Sequence, residues 1–596
     1  MMVVFFTLFF SQAYSEEVKG TNILNFDQPW QFWANTSSPP IWPITTSPNT
    51  FDALSLLAPD FGVSMDRWAN LQVNGEFQTG TAWWTGFYAP FSIRTQKQFT
   101  AYLPEILKTQ KTLTKKGLPH YSRTELIVDA EESGLESMFF YTTFQVDNPE
   151  TFAALQIQSK FEQGLEVYLN DTLLLSYQIP LPPATTAPEY TSQEAPPWLQ
   201  MNVGKSARWE YAWQGLPNVL KKGENFISVK VVKSEKTANP LMYFDLQLRG
   251  YAIEWLKEPY LMNPSSRSMV VGWESSVIAD GVVTVCEVNA PQSCQEFSST
   301  ASTLHQITLQ NLKSNTQYEY EASFSYQNQV YRYPKQKFRT LPSSQQKFSF
   351  YLYGDSRGFD NIHKKVADSI VAHHQKNSSL FVIHTGDMVT HGYIWDLWES
   401  KFFTPSVSLY RELPIVPVTG NHEQNQKLYY DYFNLPGNEA YYNFTQGNTE
   451  FFAINTNISF SPKSAQYKWF EEQLRKSTAK WKIVMFHHPP YSCSPVRKPG
   501  EKYVREYLVP LMERYGVDLV LLGHDHLYGR SRDINGIIYV TSGGGGAGLY
   551  PAEPDEFNPV CIKQHHFVYF SVSTASIDWV AIDIKGNVID TYQITK

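Results

Sequence analysis

The chain has 596 residues, a formal net charge of −8, 42% apolar and 18% charged residues. That length exceeds what one hydrophobic core can serve and implies several domains. The composition is that of a globular protein, and an acidic balance without a long basic run points away from nucleic acid. Aromatic residues at 15%, including 16 Trp and 36 Tyr, favour strand-rich domains, because such side chains suit pleated, half-buried surfaces.

Residues 3–10 read VVFFTLFF, followed by small residues at Ala13 and Ser15 and then Glu16. Residues 1–15 thus resemble a secretory signal cut after Ser15, although the basic leading residues are missing. The expected destination is outside the cytoplasm, periplasmic or secreted. The apolar run is too short for a membrane span, and no other stretch is long and apolar enough for one. Residues 16–60 are rich in Pro, Thr, Ser and Trp and show little periodicity.

Strand-like segments then dominate to about residue 250. Phe139–Val146, Leu155–Phe161, Gly164–Leu169 and Asn225–Val232 carry the period and the β-branched or aromatic content of strands. Leu169-Asn170-Asp171 and Lys221–Asn225 read as turns, and Pro180–Pro197 as a long proline-rich loop. No stretch here shows a helical stripe, so residues 16–250 are expected to form a β-sandwich. The runs GLEVYLNDTLL, LKKGENFISVKV and MYFDLQLRG resemble the galactose-binding-like jelly rolls of secreted bacterial proteins, over roughly Glu125–Gly250. The resemblance implies either carbohydrate binding or a buttressing role. The second is favoured because no ligand residue can be named.

Residues 251–342 read as a second β unit, with strands at Pro259–Leu261, Ser268–Trp273, Gly281–Val288, His305–Leu309, Thr316–Phe324 and Lys337–Arg339. Leu312, Thr316 and Tyr318 resemble the corner of fibronectin type III modules. The whole stretch is similar to the N-terminal module of purple acid phosphatases. Thr340–Ser344 reads as a linker. Cys286 and Cys294 flank a hairpin loop, which suggests a local disulfide and leaves Cys493 and Cys561 as a long-range pair. Four free buried thiols fit the count as well.

From Lys347 the pattern changes, and residues 343–596 are expected to form an α/β layered domain. Phe348–Tyr353, Phe381–His384, Ile415–Thr419, Ile483–Phe486 and Asp518–Leu522 read as strands. Ile362, Val366 and Ile370 repeat at helical spacing, and Tyr467–Leu474 and Tyr503–Tyr515 are helical. A polar cluster follows each strand, where open α/β sheets place their ligands. The clusters are Gly354-Asp355-Ser356-Arg357-Gly358, Gly386-Asp387, Gly420-Asn421-His422-Glu423, His487-His488-Pro489-Pro490-Tyr491 and Gly523-His524-Asp525-His526.

Carboxylates, an amide and imidazoles in this number suit a pair of metal ions about 3.5–4 Å apart, the arrangement that activates water and neutralises a phosphoryl group. The ordered set resembles the calcineurin-like metallophosphoesterases and, within them, the purple acid phosphatase-like branch. The resemblance implies a hydrolase of phosphate esters: phosphomonoesters first, with diesters or nucleotides also compatible. It implies that Asp355 and His526 hold metal 1, that Asp387 bridges, and that Asn421, His487 and His524 hold metal 2. His422 then faces the phosphate, where it donates a hydrogen bond or protonates the leaving group. A metal-bound hydroxide is the implied nucleophile, and Fe, Zn and Mn all suit the donors. His487 rather than His488 directly ends its strand, so His488 is expected beyond the ligands or at the surface.

Two positions depart from the family. Thr390 stands where purple acid phosphatases carry a metal-binding Tyr, so no purple charge-transfer band is expected. Arg357 stands where other relatives carry a His ligand; it either contacts the substrate phosphate or pairs with a ligand carboxylate. His391 is expected to point outward. Tyr528 and Arg530 are expected to brace the site, and Gly543–Gly546 to form a tight loop beside the metals or a plain turn. Arg497 and Lys498 either line the pocket or form a solvated charge pair. The competing reading is a non-catalytic glycan-binding or scaffold protein with a degraded metal site. Specificity is expected from loops 357–362, 388–396, 424–448 and 490–502.

Overall fold

The structure, a computed structural model, describes residues 21–24, 29–35, 72–73, 76–77, 84–88, 91–95, 124–128, 137–161, 164–170, 172–177, 208–215, 219–232, 242–343 and 347–596. The expected signal segment 1–15 and the Pro180–Pro197 loop lie outside the described residues, as does Ser344 of the expected linker. The described residues fall into two units, one up to residue 254 and one from Trp255 to Lys596.

The first unit is built of strands in two sheets. In one, Ala154–Phe161 lies between Arg208–Gly215 and Met242–Tyr251. In the other, Gly223–Val232 lies between Ser137–Val146 and Gly164–Leu169. Leu155, Ile157, Val167, Ile227, Val229, Leu246 and Leu248 are buried, as the strand pattern requires. The turn signal at Asn170 is real: its φ is 45°, and its amide bonds the Val219 carbonyl and the Asn225 side chain at 2.8 and 2.7 Å. Two described strands, Thr21–Leu24 and Pro29–Asn35, fall where the sequence showed little periodicity. Each pairs with a longer strand, Met242–Tyr251 and Ser137–Val146, so tertiary pairing supplies what local pattern did not.

In the second unit a twelve-stranded sheet runs from the β-rich segment straight into the α/β segment. Trp255–Met262 pairs antiparallel with Met269–Glu287, and Met262 pairs in parallel with Ile415 of the strand Ile415–Pro417. Val382–His384 and Phe348–Tyr353 follow in parallel, and His566–Val572, Ser576–Asp583 and Val588–Thr595 complete the sheet antiparallel. The expected separate strands Ser268–Trp273 and Gly281–Val288 are one continuous strand, Met269–Glu287. The intervening ESSVIAD is polar enough to read as a turn, yet Glu274, Ser275 and Ser276 are buried and the strand continues through them.

A second sheet of seven strands holds Thr449–Ala453, Trp481–Met485, Leu519–Leu522 and Ile538–Ser542 in parallel. The sheets meet through aromatics: Phe451 of the second packs edge-on against Phe350 and Phe381 of the first, with centroids 5.5 and 5.7 Å apart. The expected helices form at Asp360–His374, Ala465–Lys476 and Val504–Arg514, the last beginning with a π-helical turn. The cysteines pair as Cys286–Cys294 and Cys493–Cys561. No helix among the described residues is long and apolar enough to cross a membrane.

One buried ion pair joins the β-rich strands to the α/β segment. Lys257 is fully buried and bonds Glu274 on the neighbouring strand. The Trp395 indole N–H reaches both Glu274 oxygens at 3.2 Å, and the ammonium lies 3.9 Å from the Trp395 ring centroid. Removing one partner of such a pair leaves an uncompensated buried charge. Lys257→Met is therefore expected to lower unfolding free energy by about 3–5 kcal/mol, read from the urea midpoint of the whole chain. A loss below ~1 kcal/mol would contradict this account of the pair.

Candidate metal centre

The expected ligands follow strands of both sheets. Asp355, Asp387 and Asn421 come after strands of the twelve-stranded sheet, and His487, His524 and His526 after strands of the seven-stranded one. Asp355, Asp387 and His524 adopt left-handed backbone, with φ of 56°, 56° and 68°. A side chain pays for that conformation, and it persists where its surroundings over-determine it. Here the Asp355 N–H donates to the Gly386 carbonyl at 2.9 Å, and the Arg357 N–H to the Asp387 carbonyl at 3.1 Å. The His524 N–H donates to Asp355 Oδ2 at 2.8 Å. Gly386, at φ +91°, could not carry a Cβ: it would sit 2.4 Å from the Gly420 nitrogen.

Glu423 has a role that the sequence reading left unassigned. Its buried carboxylate accepts from the backbone N–H groups of Asp387, Met388, Val389 and Gly420 at 2.8, 2.8, 3.3 and 2.6 Å. One side chain thereby clamps the loop of Asp387 to the loop of Asn421. Burial and the Asp387 charge push its carboxyl up to about 7, while the N–H donors pull it down.

The donor atoms form two groups around Asp387. In one, His487 Nε2 lies 3.2 Å from Asn421 Oδ1, 3.2 Å from His524 Nδ1 and 3.3 Å from Asp387 Oδ1. In the other, single donor atoms of Asp355, Asp387 and His526 lie within 4.8 Å of one another. The ring tautomers are fixed from behind. His487 Nδ1 donates to the Thr385 carbonyl at 2.8 Å, and His526 Nδ1 to the Gly548 carbonyl at 2.7 Å. Both Nε2 atoms therefore face the centre, as in metal sites whose outer ring nitrogen is tied back. Asp355 Oδ1 is buried without a hydrogen-bond partner, an orphaned acceptor that a cation would satisfy. The donor set fits a metal centre on these grounds.

His422 lies beside the ligands. Its backbone N–H donates to Asp387 Oδ1 at 2.9 Å and its Nδ1–H to the Thr390 carbonyl at 2.8 Å. Its Nε2 is left 3.9 Å from Asp387 Oδ2. Arg357 reaches the same carboxylate oxygen, Nε to Oδ2 at 3.3 Å, and approaches His526 Nε2 at 3.4 Å. His488, expected beyond the ligands or at the surface, packs on His524 with ring centroids 4.6 Å apart and bonds the Thr456 hydroxyl at 2.7 Å. Its donor atom lies within 4.8 Å of those of His487 and His524.

The supporting residues sort by partner. Tyr528 and Arg530 both bond Asp590 on the last strand, at 2.7 and 2.6 Å, so they hold the strand that follows His526. Gly543–Gly546 lies against the loop of Asp355: Gly545 N–H donates to the Gly354 carbonyl, and Ala547 N–H to that of Asp355. A Cβ on Gly543 would come within 2.9 Å of Asp355 Oδ2. His391 stacks on Tyr393 with centroids 5.5 Å apart. Arg497 donates to the Tyr550 hydroxyl at 3.1 Å, and Lys498 pairs with Asp555 at 3.3 Å. Tyr550, which no motif singles out, stacks on His526 with centroids 4.2 Å apart.

Two buried carboxylates sharing one pocket split their ionisation. Burial, with the Asp387 charge added, pushes the Asp355 carboxyl well above the usual range. Burial opposes ionisation of Asp387 too, but the imidazoles of His487 and His422 and the Arg357 guanidinium hold it well below that range. Burial alone would lower His487. The Asp387 and Asp355 carboxylates outweigh it and raise the ring to about 9. Burial lowers His526 to about 4.

The family model for calcineurin-like phosphoesterases matches residues 348–528. Purple acid phosphatase 15 of Arabidopsis thaliana is 29% identical over 175 residues, covering 26% of this chain and 32% of that protein. Purple acid phosphatase 1 of Ipomoea batatas is 24% identical over 330 residues, covering 50% of this chain and 64% of that protein. The chain thus spans about a third of the length of the first curated relatives it matches. Among solved structures, purple acid phosphatase PPD1 from yellow lupin (Lupinus luteus) superposes with a TM-score of 0.52 at 15% identity, over 78% of this chain and 94% of that one. At that identity the likeness is one of fold. Residues 348–528 are a calcineurin-like phosphoesterase domain, with a β-rich region before it.

Two outcomes follow from this geometry. Glu423→Gln turns an amide N–H toward backbone N–H donors, so metal affinity is expected to fall 10–100-fold, measured by metal retained after dialysis; unchanged retention would contradict the clamp. A metal ligand must be deprotonated, and His487 titrates at about 9 among the protein charges alone. Metal uptake at pH 7 should therefore release about one proton per chain from His487. Calorimetry in two buffers of different ionisation enthalpy measures this, and zero release would refute the shift.

Proposed function

We propose that this chain is an exported, metal-dependent phosphoesterase that hydrolyses phosphate monoesters, with diesters and nucleotides as further substrates. The observation that carries the reading is the convergence of His487 Nε2, His524 Nδ1, Asn421 Oδ1 and Asp387 Oδ1, with His487 within 3.3 Å of each of the others. On this reading Asn421, His487, His524 and Asp387 hold one ion, and Asp355, His526 and Asp387 form the second half of the centre. Bound Fe, Zn or Mn would supply Lewis acidity and lower the pKa of a water to near 7.

The chain's own residues do the rest. Asp387 faces both halves, and against its burial the Arg357 guanidinium on Oδ2 favours its ionised form. His422 is held by its Nδ1–H on the Thr390 carbonyl, so its Nε2 alone is turned to the reacting group. Burial lowers this imidazole, and it protonates the leaving oxygen only in its charged form, which favours acidic pH. Arg357 presents a planar fork whose geometry matches two phosphate oxygens.

The β-rich regions complete the reading. Residues 251–342 serve as a fibronectin III-like module like that of purple acid phosphatases, and residues 16–250 as a galactose-binding-like unit in a structural role. The two disulfides support an oxidising destination.

The test is hydrolysis of p-nitrophenyl phosphate with added Mn, Zn or Fe, by the full chain and by Asn421→Ala. The expected result is metal-dependent turnover that the variant loses; wild-type turnover no greater than the variant's would favour a scaffold protein with a degraded site. His422→Ala is expected to lower kcat about 10²–10⁴-fold on an alkyl phosphate. The loss should be smaller on p-nitrophenyl phosphate, whose leaving group needs little protonation. Equal losses on both substrates would argue against the acid role.

A further inference from the structure

We propose that the Arg357 guanidinium is a built-in cation in the Asp355–Asp387–His526 half of the centre, so that the chain holds one metal ion firmly and pairs it with a fixed organic charge. The inference rests on the metal-centre reading above and refines it.

Four observations carry it. The guanidinium touches two of the three donors that would converge on an ion from that side: Nε is 3.3 Å from Asp387 Oδ2 and a terminal nitrogen 3.4 Å from His526 Nε2. His526 Nε2 carries a lone pair there, because its Nδ1–H is spent on the Gly548 carbonyl. The Arg357 side chain is only 18% exposed, so it is not a surface residue that happens to reach inward. Its backbone is pinned as well, by its N–H on the Asp387 carbonyl at 3.1 Å, and the loop is held two residues earlier by the Ala547 N–H on the Asp355 carbonyl at 2.8 Å.

The two halves are therefore unequal. Asp387, Asn421, His487 and His524 bring four donors, and the guanidinium meets this set only on Asp387 Oδ2, not on the Oδ1 that His487 Nε2 approaches. Asp355, Asp387 and His526 bring three donors, two of them in contact with the cationic guanidinium. A divalent ion a few ångströms from that charge is repelled, and its affinity falls by orders of magnitude. The same charge partly compensates two buried carboxylates, a task that an ion would otherwise perform.

The arrangement also bears on the substrate. A phosphate bound between one ion and the guanidinium fork would use one oxygen on the ion and two on the fork. A monoester has three unsubstituted oxygens to give; a diester has two. The centre should accordingly prefer monoesters, and the preference should depend on Arg357.

The test is metal stoichiometry, with no turnover required. The full chain is stripped with a chelator, loaded with excess Mn²⁺, desalted, and its metal counted per chain. Low-temperature electron paramagnetic resonance then separates isolated from coupled Mn²⁺. Wild type and Arg357→Lys are expected to retain one ion with an isolated six-line signal. Arg357→Ala and Arg357→His, which remove the charge or replace it with a ligand, are expected to retain two with a coupled signal. Two coupled ions in wild type, or one in Arg357→Ala and Arg357→His, would overturn the proposal while leaving the metal-centre reading intact. No retained ion in any of the four would overturn both. A cooperative thermal melt for each variant confirms that the counted protein is folded.

Discussion

Asp355 and Asp387 place two carboxylates in one buried pocket. Neither has bulk water to screen it, and a buried carboxylate is costly unless positive charge or donors meet it. Everything around them answers that cost. His487 and Arg357 bring positive charge to Asp387, and the His422 and His524 backbones each donate an N–H to one of the pair. Asp355 Oδ1 still lacks a hydrogen-bond partner. A pocket so built is poised for a cation, and the left-handed backbone at Asp355, Asp387 and His524 is strain accepted to build it.

The clusters that follow the strands were legible because their chemistry is local. A Gly-Asp after an apolar strand, or Gly-Asn-His-Glu, announces both the strand end and the donor. The strands Phe348–Tyr353 and Gly164–Leu169 fall where their pattern puts them. What was not legible depends on distant partners. Glu423 sits in a quoted motif, yet its four N–H donors come from loops that only the fold brings together. Tyr550 has no motif at all, and its stacking on His526 follows from the path of the glycine loop. The short helix Lys427–Tyr432 and the closing strands His566–Val572, Ser576–Asp583 and Val588–Thr595 were not anticipated. The strands' mixed polar pattern reflects one face against the core and one outward.

The segment 255–342 is more than an appendage. The twelve-stranded sheet is continuous across it, and Lys257, Glu274 and Trp395 tie it to the stretch that leads on to Trp398. The Trp398 indole N–H donates to the Gly392 carbonyl at 2.8 Å, and the Gly392 N–H to the His422 carbonyl at 2.9 Å. A chain of contacts thus runs from the β-rich strands to the backbone of His422. The physical consequence is rigidity: the loop carrying Thr390 and Gly392 is held from both sides, and His422 keeps its orientation by being bonded to it.

The donors Asp387, Asn421, His487 and His524 are proposed to hold a metal ion at a defined place. Anomalous diffraction from crystals of the purified chain grown with Mn²⁺ or Zn²⁺, recorded on both sides of the metal's absorption edge, tests it most directly. A strong peak enclosed by Asp387, Asn421, His487 and His524 is expected. A map without a peak there, from crystals whose mother liquor holds the metal in excess, would contradict it.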